Sequence, residues 1–309
     1  MDIVGILTLA LIWGASFLFI KVGLNGGMSP VLVATWRLAV GAAVMWGIVG
    51  LRRLIAPASF KQPLPSGRPT WGKLAIVGLL NNAIPFVLIA WGEQRISSGL
   101  ASIFNASMPI FTVIVAHFFT HDDRIVPLKA IGIFTGLAGV AVVIAPGAGD
   151  MRGELPGSLA VILASLSYAA ATVFVKQKLT GATDPIATGA GQLVMALLWL
   201  LPLALLTHAT TGIADIPPEA MLSVTVLGLL GTGLAYLIYY LLIQHAKASQ
   251  LSLVTYLLPV TALIYGAVLL NEQVTRYALV GFVMIVAGIM LVNRANNATL
   301  KILQPGDAG

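Results

Sequence analysis

Asn81 and Asn82 stand side by side in the middle of a long apolar run. Other polar residues recur about ten positions from the ends of similar runs, the depth at which a helix rising about 1.5 Å per residue reaches the centre of a bilayer. The first half of the chain places Trp13, Ser16, Asn81, Asn82, Asn105 and Ser107 there; the second half places Tyr168, Thr172, Thr232, Tyr236, Thr255 and Tyr256. An amide both donates and accepts, so asparagines can hold the ammonium and the carboxylate of a zwitterion. Trp13, Tyr168, Tyr236 and Tyr256 suit an apolar or aromatic side chain, and a ring face attracts an ammonium. Pro85, Pro109 and Pro259 each remove a helix N–H, which leaves carbonyls free and permits a kink. The chemistry is that of solute binding, with Trp13, Ser16, Asn81, Asn82, Asn105, Tyr168, Thr232, Tyr236, Thr255 and Tyr256 as its candidate residues and the three prolines as candidate hinges.

A second reading of the same residues is that they only join helices, through bonds of about 0.6 kcal/mol each. Ser102, Ser107 and Ser252 fit that reading; the three asparagines fit a cavity, because amides at equal depth are costly to keep in lipid. Trp13 and Tyr168 fit either. No Asp, Glu, Lys or Arg is expected at mid-span. A proton-coupled cation exporter would carry a midplane carboxylate, so the pattern points to a zwitterionic or neutral amphipathic solute and away from phosphorylated ones. Charges near span ends, Lys21, Arg37, Glu93 and Arg95, are read as snorkelling to the interface, with Arg37 alternatively marking an outer vestibule and Glu93 with Gln94 alternatively gating the outer mouth. Asp122, Asp123 and Arg124 on the inner side, and Glu272 and Arg276 on the outer side, either form gate ion pairs or cap helix ends.

The elements that carry these residues follow from composition. The 309 residues are 58% apolar and 9% charged, with 17 Lys+Arg, 11 Asp+Glu and a mean hydropathy of +0.96; a soluble domain carries about 25% charged residues. Runs of about 18 or more apolar residues are long enough to cross a bilayer. Ten fall near 3–24, 31–50, 72–93, 97–119, 126–146, 156–177, 185–207, 220–244, 249–270 and 276–294. The first lacks a basic leader and exceeds the length of a signal-peptide core, so it reads as a true span. The stretch 51–71 reads as a flexible loop and 295–309 as a loose tail. Of the 17 basic residues, 12 fall on one side of the membrane and 5 on the other, which puts both termini in the cytoplasm. The net charge of +6 is a topology signal, with no basic stripe for nucleic acid.

The chain also repeats itself. At an offset of 155, Tyr168 falls on Trp13, Lys176 on Lys21 and Pro185 on Pro30; at 150, Ser252 falls on Ser102, Pro259 on Pro109 and Glu272 on Asp122; at 149, Gly281 falls on Gly132 and Gly288 on Gly139. The expected units are residues 1–148 and 149–294, five spans each. Five is odd, so the second copy enters from the opposite side: an all-α, ten-helix membrane protein built as a 5+5 inverted repeat around a central cavity. Gly132-x-x-x-Gly136 with Gly139, and Gly281 with Gly288, predict close helix contact, within the chain or between two copies.

Ten spans as five plus five, Trp13-Gly14-Ala15-Ser16-Phe17 in the first helix, and Ser102…Pro109 and Ser252…Pro259 in the fourth helices resemble the EamA branch of the drug/metabolite transporter superfamily, over residues 3–294. In general character the chain is similar to YddG-type exporters of aromatic amino acids. The resemblance implies a bacterial inner-membrane exporter of amino acids or other amphipathic metabolites working by alternating access, or a broad drug efflux protein. The small multidrug-resistance relatives carry a glutamate in their first helix; this first helix has none.

An enzyme reading finds little to stand on. There is no cysteine, no GxxxxGK[ST] and no HExxH, and His117, His121, His208 and His245 lie at span ends or loops. No cofactor is expected. A scaffold would carry an extramembrane domain for its partner, and the chain has no room for one. The expected partners are a small-molecule substrate and the lipid bilayer.

Overall fold

The computed structural model describes the backbone of residues 2–59, 64–120, 125–179, 183–209, 212–242 and 248–303. These residues form helices α1 (Asp2–Asn25), α2 (Pro30–Ile55), α3 (Gly67–Glu93), α4 (Ser98–Phe119), α5 (Pro127–Ile144), α6 (Glu154–Lys178), α7 (Pro185–Leu206), α8 (Pro218–Leu242), α9 (Ala248–Leu269) and α10 (Arg276–Leu303). Nine of the ten are long and apolar enough to cross a membrane; α9 is apolar over the shorter Leu253–Leu269. There is no strand among the described residues. The protein is an all-α, multi-pass membrane protein.

Helix starts follow local chemistry. Proline stands at the first turn of α2, α5, α7 and α8, where its missing N–H would have no intrahelical partner. Ser29, Ser97 and Asp184 accept from the N–H groups of Leu32, Leu100 and Ala187, each satisfying one orphan donor. Gly27, at φ +89°, turns the chain from α1 into α2 in a conformation that costs glycine little.

Two boundaries differ from the sequence reading. The flexible loop shrinks, because α2 runs to Ile55 and α3 begins at Gly67, each helix extending past its apolar run. The tail after Arg294 is helical as far as Leu303. Asp122, with its neighbours His121, Asp123 and Arg124, lies outside the described residues, as do Gln244 and His245; the Ser252 side chain does too.

Two helices are not plain α-helix. Leu79–Ala83 in α3 and Leu227–Leu234 in α8 are π-helical, and the shift of 150 carries the first into the second. In α3 the Ile84 N–H reaches back to the Leu79 carbonyl, and Pro85 then lacks the next donor, so the wide turn is where the ladder gives way. In α8 the same widening falls on Gly228, Gly231 and Gly233. The candidate hinges behave differently from one another. Around Pro109, α4 is broken at Ala106 and Ser107, between Ser98–Asn105 and Met108–Phe119, whereas α9 runs unbroken through Pro259.

Helices of the first five pack mainly on helices of the second five. The largest pairing is α5 with α10; then come α3 with α6, α1 with α9 and α1 with α8, followed by α4 with α6, α2 with α7, α2 with α8 and α3 with α7. A methyl carbon at Gly132 would lie 2.6 Å from the Gly288 carbonyl, and one at Gly139 would lie 2.7 Å from the Gly281 carbonyl. The glycine pattern is therefore spent inside the chain, backbone against backbone.

Candidate functional site

The π segment of α3 is joined by side chains to the turn that follows the π segment of α8. Asn82 Nδ2 donates to the Tyr236 hydroxyl at 2.6 Å, and Asn81 Nδ2 reaches the same oxygen at 3.5 Å. Asn82 and Thr232 are wholly buried. Asn82 Oδ1 is left without a hydrogen-bond partner, a costly condition away from water that a solute donor would relieve.

Arg37 completes the cluster. Its Nε donates to Thr232 Oγ1 at 2.8 Å, and its guanidinium carbon stands 3.8 Å from the centre of the Phe86 ring. Only 6% of the residue is exposed. This overturns the sequence expectation that Arg37 snorkels outward. The physical reason is that the threonine hydroxyl and the ring face give the cation partners inside the bundle, so it need not reach the interface. The Nη groups have no hydrogen-bond partner among the described residues, and a guanidinium fork matches a carboxylate. A signal for Arg37 existed: the 155 offset lays it on Gln192, which is also buried and has an unpartnered Nε2. A methyl carbon at Gly228 would lie 2.9 Å from the Arg37 carbonyl, and one at Gly78 would lie 2.6 Å from the Gln192 carbonyl. Gly228 and Gly78 are themselves 150 apart.

From this cluster a file of aromatic rings leads to α1. Tyr236 meets Tyr240 at 6.1 Å between centroids, Tyr240 meets Tyr239 at 5.7 Å, and Tyr239 meets Trp13 at 5.7 Å. Trp13 Nε1 donates to the Gly231 carbonyl at 3.2 Å, inside the π segment. Ser16 also lies against Gly231, with its hydroxyl on the Ile12 carbonyl of its own helix. Tyr168 packs against the two largest apolar clusters.

The structure thus brings together Asn81, Asn82, Thr232 and Tyr236, with Trp13 and Ser16 on the rear of the α8 segment. It does not bring all the candidates there. The Tyr256 hydroxyl accepts from Asn293 of α10 at 2.8 Å, and Thr255 is half-buried beside it on α9. Asn105 ends the first piece of α4, its Oδ1 buried and unpartnered. Ser102 and Ser107 donate to the carbonyls of Gly99 and Phe104 in their own helix. No group of three His, Asp or Glu that could hold a metal occurs among the described residues.

The span-end charges are more ordered than the sequence suggests. Lys21 Nζ donates to the Glu93 and Ile96 carbonyls at 2.5 and 3.0 Å, closing the end of α3 instead of snorkelling. Arg95 donates to the Trp91 carbonyl and covers the Trp91 ring at 3.6 Å. Glu272 accepts from the Ser98 N–H and hydroxyl at 2.8 and 2.7 Å and from the Gly99 N–H at 3.2 Å. It caps α4, the second of its two sequence readings. Gln94 ends α3 as its C-cap, exposed. Glu93 is wholly buried, contrary to the snorkelling expectation, because the Lys21 closure and the packing of α6 on Gly92 shut it in.

The model of the EamA-like transporter family matches residues 1–145 and 155–294. A probable terminal-alkyne amino-acid exporter of Streptantibioticus cattleyicolor is 28% identical, over 91% of this chain and 90% of its own length. An uncharacterized inner membrane transporter of Escherichia coli K12, YedA, is 25% identical over 92% of this chain and 88% of its own. One solved crystal structure superposes with a TM-score of 0.65 at 18% identity, covering 95% of this chain and 97% of the other; that likeness is one of fold.

Proposed function

Because the chain belongs to the EamA-like transporter family, we propose that it exports small amphipathic metabolites, amino acids first among them, from a central site at Arg37, Asn82, Thr232 and Tyr236. The observation that carries this reading is the buried Arg37 guanidinium, held at one nitrogen by Thr232 and open at the others. It takes the solute carboxylate, Asn81, Asn82 and the Tyr236 hydroxyl take the ammonium end, and the file of rings toward Trp13 takes the side chain. The amino-acid exporter among the relatives supports the substrate class. Aromatic and aliphatic amino acids both fit, so the aromatic-exporter subtype is a question for substrate competition.

The transport cycle we infer is alternating access by two inverted five-helix repeats. The two matched segments, the π segments at equal positions of α3 and α8, and the paired helix contacts support that arrangement. A bacterial inner-membrane location is supported by the relative of that description, and cytoplasmic termini by the bias of basic residues.

The test is uptake of labelled Phe, Trp, Met and Thr into liposomes holding the purified protein. Saturable uptake that is lost in Arg37→Ala and Asn82→Ala supports the site. If no amino acid moves while a reconstituted control transporter works, the amino-acid reading fails and other metabolites or drugs take its place.

A further inference from the structure

Glu93 is the buried ionisable group that the solute site does not use. Its side chain is wholly buried at the end of α3, and neither carboxylate oxygen has a hydrogen-bond partner. The other buried acid among the described residues, Asp184, is paired with Arg52 at 3.2 Å. Lys21 of α1 reaches this end of α3, with two of its donors on the Glu93 and Ile96 backbone carbonyls. The remaining charges that act on Glu93 are Glu272, which follows α9, and Arg37 of α2. Glu272 is itself occupied by Ser98 and Gly99. The α6 face packed here is Gly157 and Val161 against Gly92, and α4 offers Ser98, already held. An ionised carboxylate buried with no donor is among the costliest arrangements a protein can hold, and a bound proton removes the charge.

We propose that Glu93 is a proton-binding site of this transporter. The step is simple: a proton from water adds to a Glu93 carboxylate oxygen, an O–H bond forms, and the buried charge disappears. The proton site does not depend on the amino-acid reading above.

The experiment is infrared difference spectroscopy of the purified full chain across a pH titration without any solute, in water and in heavy water. Wild type should show the C=O stretch of a protonated carboxyl at neutral pH, shifting in heavy water. The band should vanish in Glu93→Gln, whose amide replaces the neutral acid with little change of shape, and return displaced in Glu93→Asp. A wild-type spectrum without the band, or an unchanged band in Glu93→Gln, overturns the site. A signal that follows sodium in place of pH overturns the proton. Failure of amino-acid uptake in liposomes leaves every one of these readouts intact.

Discussion

Arg37 Nε and Thr232 Oγ1 meet at 2.8 Å, so a cation of α2 is tied to the π segment of α8, a helix almost two hundred residues away in sequence. The bond fixes one edge of the guanidinium, whose carbon stands over the Phe86 ring. Hydrogen bonds to charged groups contribute about 1.5–3 kcal/mol. Arg37→Ala should therefore weaken amino-acid competition for liposome uptake by roughly 10–100-fold. Arg37→Lys should recover only part, because an ammonium cannot present a fork.

Asn82 and Tyr236 hold α3 to α8. A double-mutant cycle of Asn82→Ala and Tyr236→Phe, read by thermal unfolding in detergent, should give a coupling of about 0.6 kcal/mol and at most about 1.7 kcal/mol, the range for such bonds between membrane helices. A coupling of zero would mean that the two groups do not share a bond in the folded protein.

The crossing of α5 and α10 tolerates no side chain. Gly132→Leu or Gly139→Leu should destabilise the protein by about 1–3 kcal/mol or more, since each drives carbon into a facing carbonyl. Gly47→Ala on α2, where an added carbon meets nothing within 4 Å, is the control and should be neutral or mildly stabilising. Equal melting temperatures for all three variants would contradict the packing.

Glu272 separates capping from gating. Glu272→Ala strips three contacts from the start of α4 and should lower stability by about 0.5–2 kcal/mol, as lost caps do. A variant that melts like wild type but transports at an altered rate would return Glu272 to a gate.

Asp150, in the exposed turn between α5 and α6, accepts from the N–H groups of Glu154, Gly153 and Arg152 at 3.0, 2.9 and 3.3 Å. Those bonds, Glu154's first, hold its carboxyl below the usual value of 3.8. A depressed carboxyl lends stability that is present above its ordinary value and is lost as pH falls through the folded one. Wild type and Asp150→Asn should thus differ slightly in melting temperature near neutrality and converge on acidification. A gap that stays constant with pH would refute this.

The sequence made the ten helices legible, because lipid demands long apolar runs and little else produces them. It also made Asn82, Thr232 and Tyr236 legible, since polar groups at mid-span are conspicuous against Leu and Val. Arg37 and Glu93 were misjudged for one shared reason. Both lie near the ends of apolar runs, where a long charged side chain can point either way, and the choice depends on neighbours from other helices. Thr232 and Phe86 decide it for Arg37. For Glu93 the decision comes from Lys21, which closes the chain over it. Tyr256 shows the converse: correct depth, but a rotation of α9 that hands its hydroxyl to Asn293. The π segments left a faint trace in Pro85 and in the glycines of α8, too common in membrane helices to be decisive alone.

The glycine crossing of α5 and α10 bears on how the chain is made. Helix α5 enters the bilayer when only half the chain has been synthesised, and the surface that fits it, Gly281 and Gly288, is made last. Until then its bare backbone groove faces lipid or a borrowed neighbour. Assembly of the bundle is therefore completed by its final helix, and a ribosome stalled before residue 281 leaves a first half that has inserted but has nothing to close against.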